Sequence, residues 1–101
     1  MAAARLGARV ALVARVGRDE RGARLVERLR AEGVETGSIR RDAHALSGVA
    51  LVMVDAEGQK QILTAPGANR HLTAADIERE ARTIQSARVL LAQLEVPLEA
   101  V

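Results

Sequence analysis

Apolar residues along the chain fall into short runs of strand character and longer stretches with helical spacing. Arg9–Val16 (RVALVARV) is apolar at nearly every position and rich in valine, the pattern of a strand buried on both faces in a parallel sheet. Gly17 breaks the run. Asp19 stands where it would cap a following helix, Glu20 lies in the first turn, and Ala23, Leu25, Val26 and Leu29 recur at helical spacing. Glu20/Arg24 and Arg28/Glu32 sit four apart on the outer face, and Gly33 is the stop. Strand, tight turn, amphipathic helix and glycine stop make half of a βαβ unit.

Val34 to Leu46 is irregular and polar, with a short strand near Ile39. The texture then changes. Gly48–Val54 (GVALVMV) predicts a strand, Asp55-Ala56-Glu57-Gly58 a turn and Gln59–Thr64 a returning strand, together a β-hairpin with a four-residue loop. Val49, Leu51 and Met53 lie on one face of the first strand and Ala50, Val52 and Val54 on the other, so both faces are apolar. A surface hairpin usually has one polar face. A ligand, another domain or another subunit is therefore expected to cover the second. After the turn-forming APGANRHL segment, Thr73 predicts an N-cap with Asp76 closing a shortened capping box, and Ile77, Ala81 and Ile84 mark a helical stripe. Arg88–Leu94 (RVLLAQL) predicts another buried-type strand, and Pro97 fits the first position of a further helix. Met1–Leu6 reads as a last helical turn closed by Gly7, and Leu98–Val101 as a helix just begun, so both ends are expected to cut through elements.

Composition narrows the classes. The chain has 101 residues, no Phe, Tyr or Trp and no Cys, so its core rests on aliphatic side chains, and disulfides and thiolate metal sites are excluded. Of the 15 basic residues only Lys60 is lysine, and 13 acidic residues leave a net charge of +2. The sequence pI of about 10.4 thus reflects arginine usage and not a large positive field. Arg21, Arg24 and Arg28 line one helix face, but Glu20, Glu27 and Glu32 interleave, which describes a solvated face and not a nucleic-acid stripe. No signal-peptide core and no run long enough to span a bilayer is present, and a cytoplasmic location is the default.

Several stretches together resemble one family. Gly7 and Gly17 within AAARLGARVALVARVG, the opening Gly17-Arg18-Asp19, Ser47-Gly48-Val49-Ala50-Leu51, Ala65-Pro66-Gly67-Ala68-Asn69 and Leu91-Ala92-Gln93-Leu94-Glu95-Val96-Pro97-Leu98-Glu99 resemble the ribokinase-like, PfkB-type carbohydrate kinases. The last stretch is the most specific and resembles ribokinase most closely. The likeness covers essentially the whole chain, which corresponds to an internal piece of a family member. It implies a partial α/β fold: a mostly parallel sheet with flanking helices plus a β-hairpin lid. The pieces would be a βα unit (1–38), a lid hairpin (47–65) and a helix, strand and start of the next helix (73–101). It implies ATP-dependent phosphorylation of a sugar, ribose to ribose 5-phosphate, with Mg2+ and a monovalent cation serving the full-length enzyme. It also implies a homodimer formed through the lid; the charge balance and the lack of a long apolar run lead to no nucleic-acid and no membrane partner being expected.

Residue by residue, Glu95 matches the family glutamate that accepts hydrogen bonds from sugar hydroxyls. A strand's carboxyl end opens onto the ligand crevice of a parallel sheet, which suits that role; the alternative is a solvated glutamate at a helix start. Ala50 and Val52 would line the sugar from the lid, the alternative being ordinary hairpin packing. Asn69 reads as a turn residue. The family's Gly-Gly-Lys-Gly-Ala-Asn and Asn-x-Asp sugar motifs, its Asn-x-x-Glu motif and its Asp-Thr-x-Gly-Ala-Gly-Asp anion hole and base have no counterpart among these residues. No catalytic, cofactor or metal residue is therefore assigned, and the chain alone is expected to be inactive. Gly17-Arg18-Asp19-Glu20-Arg21-Gly22 lacks a Gly-Lys-Ser/Thr ending and carries two acids where phosphate would sit. His44 and His71 have no second ligand at metal spacing. The rival readings are a non-catalytic dimerisation module using the apolar hairpin and a small basic nucleic-acid binder, which the charge balance disfavours.

Overall fold

A computed structural model describes all residues, Met1–Val101. A short helix α1 (Ala2–Arg5) precedes β1 (Val10–Ala11) and β2 (Ala14–Gly17), and α2 (Glu20–Ala31) leads to β3 (Val34–Glu35) and β4 (Ile39–Asp42). The hairpin strands are β5 (Val49–Val54) and β6 (Lys60–Ala65). A 3-10 turn (Gly67–His71), helices α3 (Ala74–Arg79) and α4 (Ala81–Gln85) and a second 3-10 turn (Leu98–Ala100) follow. This is a partial α/β fold: two parallel strand pairs with flanking helices, plus a β-hairpin.

The first apolar run is not one continuous strand. β1 pairs in parallel with β3, and β2 with β4, but the second ladder is shifted by one residue relative to the first. The extra residue lies in the Thr36-Gly37-Ser38 turn, where the Ile39 amide donates back to Thr36, so the ladder is interrupted as at a β-bulge. The run is half-buried along β2, because only one neighbouring strand covers it.

Helix α2 starts as its sequence predicts: Asp19 is extended and accepts from the Gly22 amide. Glu20 and Arg24 pair at 2.7 Å, whereas Glu32 pairs with Arg5 and not with Arg28. Thr73 and Asp76 form a complete capping box, but the helix they open breaks at Glu80 into α3 and α4. Ile77, Ala81 and Ile84 are only half-buried.

Arg88–Leu94 departs from its predicted form. It is not a strand, and Val89, Leu90, Leu91 and Leu94 are exposed, Leu91 to 90%. No strand of the chain runs alongside it to complete a ladder, and β propensity without cross-strand partners does not make a sheet. After Pro97 the chain forms a 3-10 turn in place of an α-helix.

The apolar interior is small: Val26, Val34, Ala68, Leu72 and Ala100. Asp42, Ser47 and Asp76 are as deeply buried. The body is held by polar connections as much as by aliphatic packing.

Candidate functional site: a cleft at the root of the hairpin

The register of the hairpin runs from Val49 opposite Ala65 to Val54 opposite Lys60. At the tip the Asp55 carboxylate accepts from the amides of Glu57 (3.1 Å) and Gln59 (2.7 Å), and Gly58 takes the left-handed conformation the turn needs, φ +82°. Every residue of both strands is exposed, with Leu51 at 55% and Ile62 at 63%. Val49, Leu51, Val52, Met53, Val54, Ile62 and Leu63 together make an exposed apolar surface.

The root of the hairpin is tied down. Ser47 donates its hydroxyl to Asp19 Oδ1 at 2.7 Å and its amide to Asp19 Oδ2 at 2.6 Å, and its Oγ accepts from the Gly17 amide at 3.0 Å. A Cβ on Gly22 would stand 2.4 Å from the Gly17 carbonyl oxygen and 2.8 Å from Ser47 Oγ, so this turn admits only glycine. The hydrogen bond from the Gly22 amide, then those from the Ser47 amide and hydroxyl, hold the Asp19 carboxyl below the usual range. On the returning side the Ala68 amide donates to the Leu46 carbonyl at 2.8 Å. Gly67 (φ +52°) lies so close that a Cβ would fall 2.3 Å from that carbonyl oxygen. The outgoing end of the hairpin thus meets the β2–α2 turn, and the returning end is tied to the outgoing one at Leu46. The amides of Gly17 and Gly22 are engaged by Ser47 and Asp19, and a carboxylate occupies the place a phosphate would need.

A second network anchors the segment after the hairpin. Asp42 accepts from the amides of His44 and Ala45, both at 2.8 Å, from Arg15 at 3.0 Å and from His71 Nδ1 at 2.9 Å. Arg15 reaches on to Asp76 at 2.6 Å, and Asp76 also accepts from the Thr73 amide and hydroxyl and from Arg79. Arg40 Nε stands 3.2 Å from Asp76 as a charge neighbour without hydrogen-bond alignment. The His44 amide, Arg15 and His71 drive the Asp42 carboxyl far below its ordinary value. Burial pushes Asp76 up, but the Thr73 donors and Arg15 outweigh it, and the net direction is down. Burial opposes the charge on Arg15, and the two carboxylates more than restore it.

Between the hairpin root and the Gln93–Pro97 segment lies an open cleft of about 630 Å³. Gly48, Val49, Ala50, Thr64, Ala65 and Pro66 form one wall, Glu95, Val96 and Pro97 the other, and Asn69 and Arg70 of the 3-10 turn line it as well. The Gln93 side chain accepts from the Glu95 amide at 2.7 Å, which orders this wall. The Glu95 side chain is exposed and accepts no hydrogen bond within the chain. Glu95 and Ala50 therefore share one cleft. Val52, two residues further along β5, lies on the exposed blade and outside the cleft lining. Asn69 is a turn residue, as its sequence context implies, and also faces the cleft. Arg70 has no motif to announce it. The Asp19–Ser47 link and the Asp42–Arg15–Asp76 network join residues far apart in sequence, and only the capping positions of Asp19 and Asp76 signal them.

For a divalent cation the residues do not fit: no group of three or more His, Asp or Glu side chains converges, and Asp42 and Asp76 are saturated by internal donors. No step through Mg2+ is assigned to this chain.

Two parallel strand pairs with flanking helices and a β-hairpin beside an open cleft make a partial α/β body. The chain belongs to the pfkB family of carbohydrate kinases, whose profile matches residues 1–99. Ribokinase from Bacillus subtilis is 38% identical over 101 residues, covering 100% of this chain and 34% of that protein. Deoxyribokinase from Salmonella typhimurium is 34% identical over 101 residues, 100% of this chain and 33% of its own length. The crystal structure of ribokinase from Cryptococcus neoformans in complex with ADP superposes with a TM-score of 0.71 at 28% identity, covering 98% of this chain and 30% of the other. The chain spans about a third of the length of these curated relatives.

Proposed function

We propose that these residues form the lid and one wall of the sugar pocket in an ATP-dependent sugar kinase resembling ribokinase. The full-length reaction transfers the γ-phosphoryl group of ATP to a pentose hydroxyl, ribose to ribose 5-phosphate, in the cytoplasm. The cleft that joins the hairpin root to Glu95 carries this reading. Two adjacent sugar hydroxyls donate to the Glu95 carboxylate, a charge-assisted pair that fixes the ring's orientation. Ala50 at the root and Val52 on the blade cover the apolar face of the sugar and exclude water once the lid lies over it. ATP, Mg2+ and a monovalent cation serve the full-length enzyme through residues other than these. The catalytic base and anion hole are likewise not among them, so the 101 residues alone do not phosphorylate ribose.

The similarity to both ribokinase and deoxyribokinase supports a pentose, and the C2 substituent is the discriminating group. Two measurements test the reading. Ribose titrated into the isotopically labelled chain should shift the amide signals of Gly48, Ala50, Asn69 and Glu95, and Glu95→Gln should weaken that response. A turnover assay with ATP, Mg2+ and ribose should show no product above background. Ribose-dependent ATP consumption by the purified chain would overturn the second half of the proposal, and shifts confined to other residues the first.

A second reading has its own observation. Both hairpin faces are apolar and exposed, so the chain also suits a non-catalytic module that associates through the hairpin. In the kinase reading the same surface forms a homodimer, one face toward the sugar and the other toward a partner's lid.

A further inference from the structure

Arg5, Arg15, Arg24, Arg40 and Arg79 each stand against a carboxylate of the chain itself. The cleft at the hairpin root is different. Glu95 is its one acid and Arg70 its one base. The two do not pair with each other, and both side chains are exposed with no hydrogen-bond or ionic partner elsewhere in the chain. The backbone beneath Arg70 is nevertheless fixed. On one side Ala68 is fully buried and its amide donates to the Leu46 carbonyl at 2.8 Å. On the other, His71 Nδ1 lies 2.9 Å from Asp42 Oδ2. Glu95 is anchored by the bond from its amide to the Gln93 side chain. An acid and a base are thus held apart in one cleft, on backbone ordered before any ligand arrives, which lowers the ordering cost of binding.

We propose that this cleft takes a pentose carrying an anionic group, a phosphate or a carboxylate, in preference to the free sugar. The sugar hydroxyls donate to Glu95, and the guanidinium of Arg70 meets the anion with paired N–H donors. Arg70 is thus a specificity-determining residue. The inference rests on the reading that the cleft is the sugar side of a kinase, and it adds a ligand class: the phosphorylated product or a sugar acid, held by the same residues. A neutral pentose satisfies Glu95 but offers the guanidinium only hydroxyl oxygens, a weaker match than an anion. A bare anion satisfies Arg70 and leaves Glu95 without a donor. A ligand with both groups answers both side chains. The cleft, at about 630 Å³, has room for the added group and falls within the roughly 300–1,000 Å³ of small-molecule sites.

Ribose, ribose 5-phosphate, ribonate and inorganic phosphate titrated into the isotopically labelled chain at matched ionic strength test this. Kd is read from the Glu95 amide and Arg70 Nε–H signals, and circular dichroism confirms that each variant is folded. Ribose 5-phosphate or ribonate should bind at least about fivefold more tightly than ribose and move both signals, and whichever does so identifies the anion. Arg70→Gln should bring the two dissociation constants within twofold of each other, and Arg70→Glu should invert their order. A native chain with no preference, or a preference that Arg70→Gln leaves above twofold, overturns the inference; if ribose still moves Glu95, the sugar-side reading stands without it. Inorganic phosphate binding as tightly as ribose 5-phosphate, with no response at Glu95, also overturns it, since Arg70 would then hold any anion. If no sugar moves Glu95, the sugar-side reading and the inference fall together.

Discussion

Asp76 is the most deeply buried large side chain, and Arg15, Thr73 and Arg79 all donate to it. Removing it leaves Arg15 one carboxylate short and takes away the reciprocal half of the α3 capping box, the bonds from the Thr73 amide and hydroxyl. Asp76→Ala should therefore cost about 2–4 kcal/mol of unfolding free energy in urea titrations, a large part of the stability of a domain this size. The same network fixes the acid response. The carboxyls of Asp19, Asp42 and Asp76 lie below their unfolded values of about 3.9 in the folded state. Their contribution is complete above that pH and is lost as pH falls through the lower folded values. Stability should hold between pH 7 and 5 and decline below about pH 4, and Asp42→Asn should flatten the decline. An unfolding free energy that peaks near pH 3 would contradict this account.

At the scale of elements, local rules served where the determinant was local. The Asp19 cap, the Thr73–Asp76 box and the Asp55-Ala56-Glu57-Gly58 turn are each set by residues within four positions, and each forms as read. Arg9–Val16 and Arg88–Leu94 have the same strand composition but different outcomes. One finds β3 and β4 alongside it; the other finds no neighbour and stays irregular and exposed. Strand pairing is a property of what lies next door, which an apolar run does not state. The Ser47–Asp19 link was likewise illegible, since nothing near Ser47 names a partner 28 positions away. Two contrasts follow. Leu91→Asp, on the unpaired segment, should change the chain's stability by no more than about 0.5 kcal/mol. Gly67→Ala, at φ +52° and against the Leu46 carbonyl, should cost more than about 1 kcal/mol and expose the hairpin root to proteolysis.

For the molecule as a whole, the division of labour is between a body held by buried ion pairs and an exposed apolar blade. The cleft sits at their junction, so whatever orders the root also sets the distance from Ala50 to Glu95. Glu95 stands out in the sequence because of its distinctive stretch, Gln93-Leu94-Glu95-Val96-Pro97, and it lines the cleft. Arg70 does not, because a single arginine after a turn carries no pattern. The most direct test of the central claim, that these residues supply the sugar side of a ribokinase-type pocket, is a segment exchange. The matching third of Bacillus subtilis ribokinase would be replaced by these 101 residues and ribose-dependent ATP turnover measured with and without Glu95→Gln. The account predicts a turning-over hybrid in which Glu95→Gln raises the KM for ribose at least tenfold; a folded hybrid with no activity, or one whose KM ignores Glu95→Gln, would contradict it.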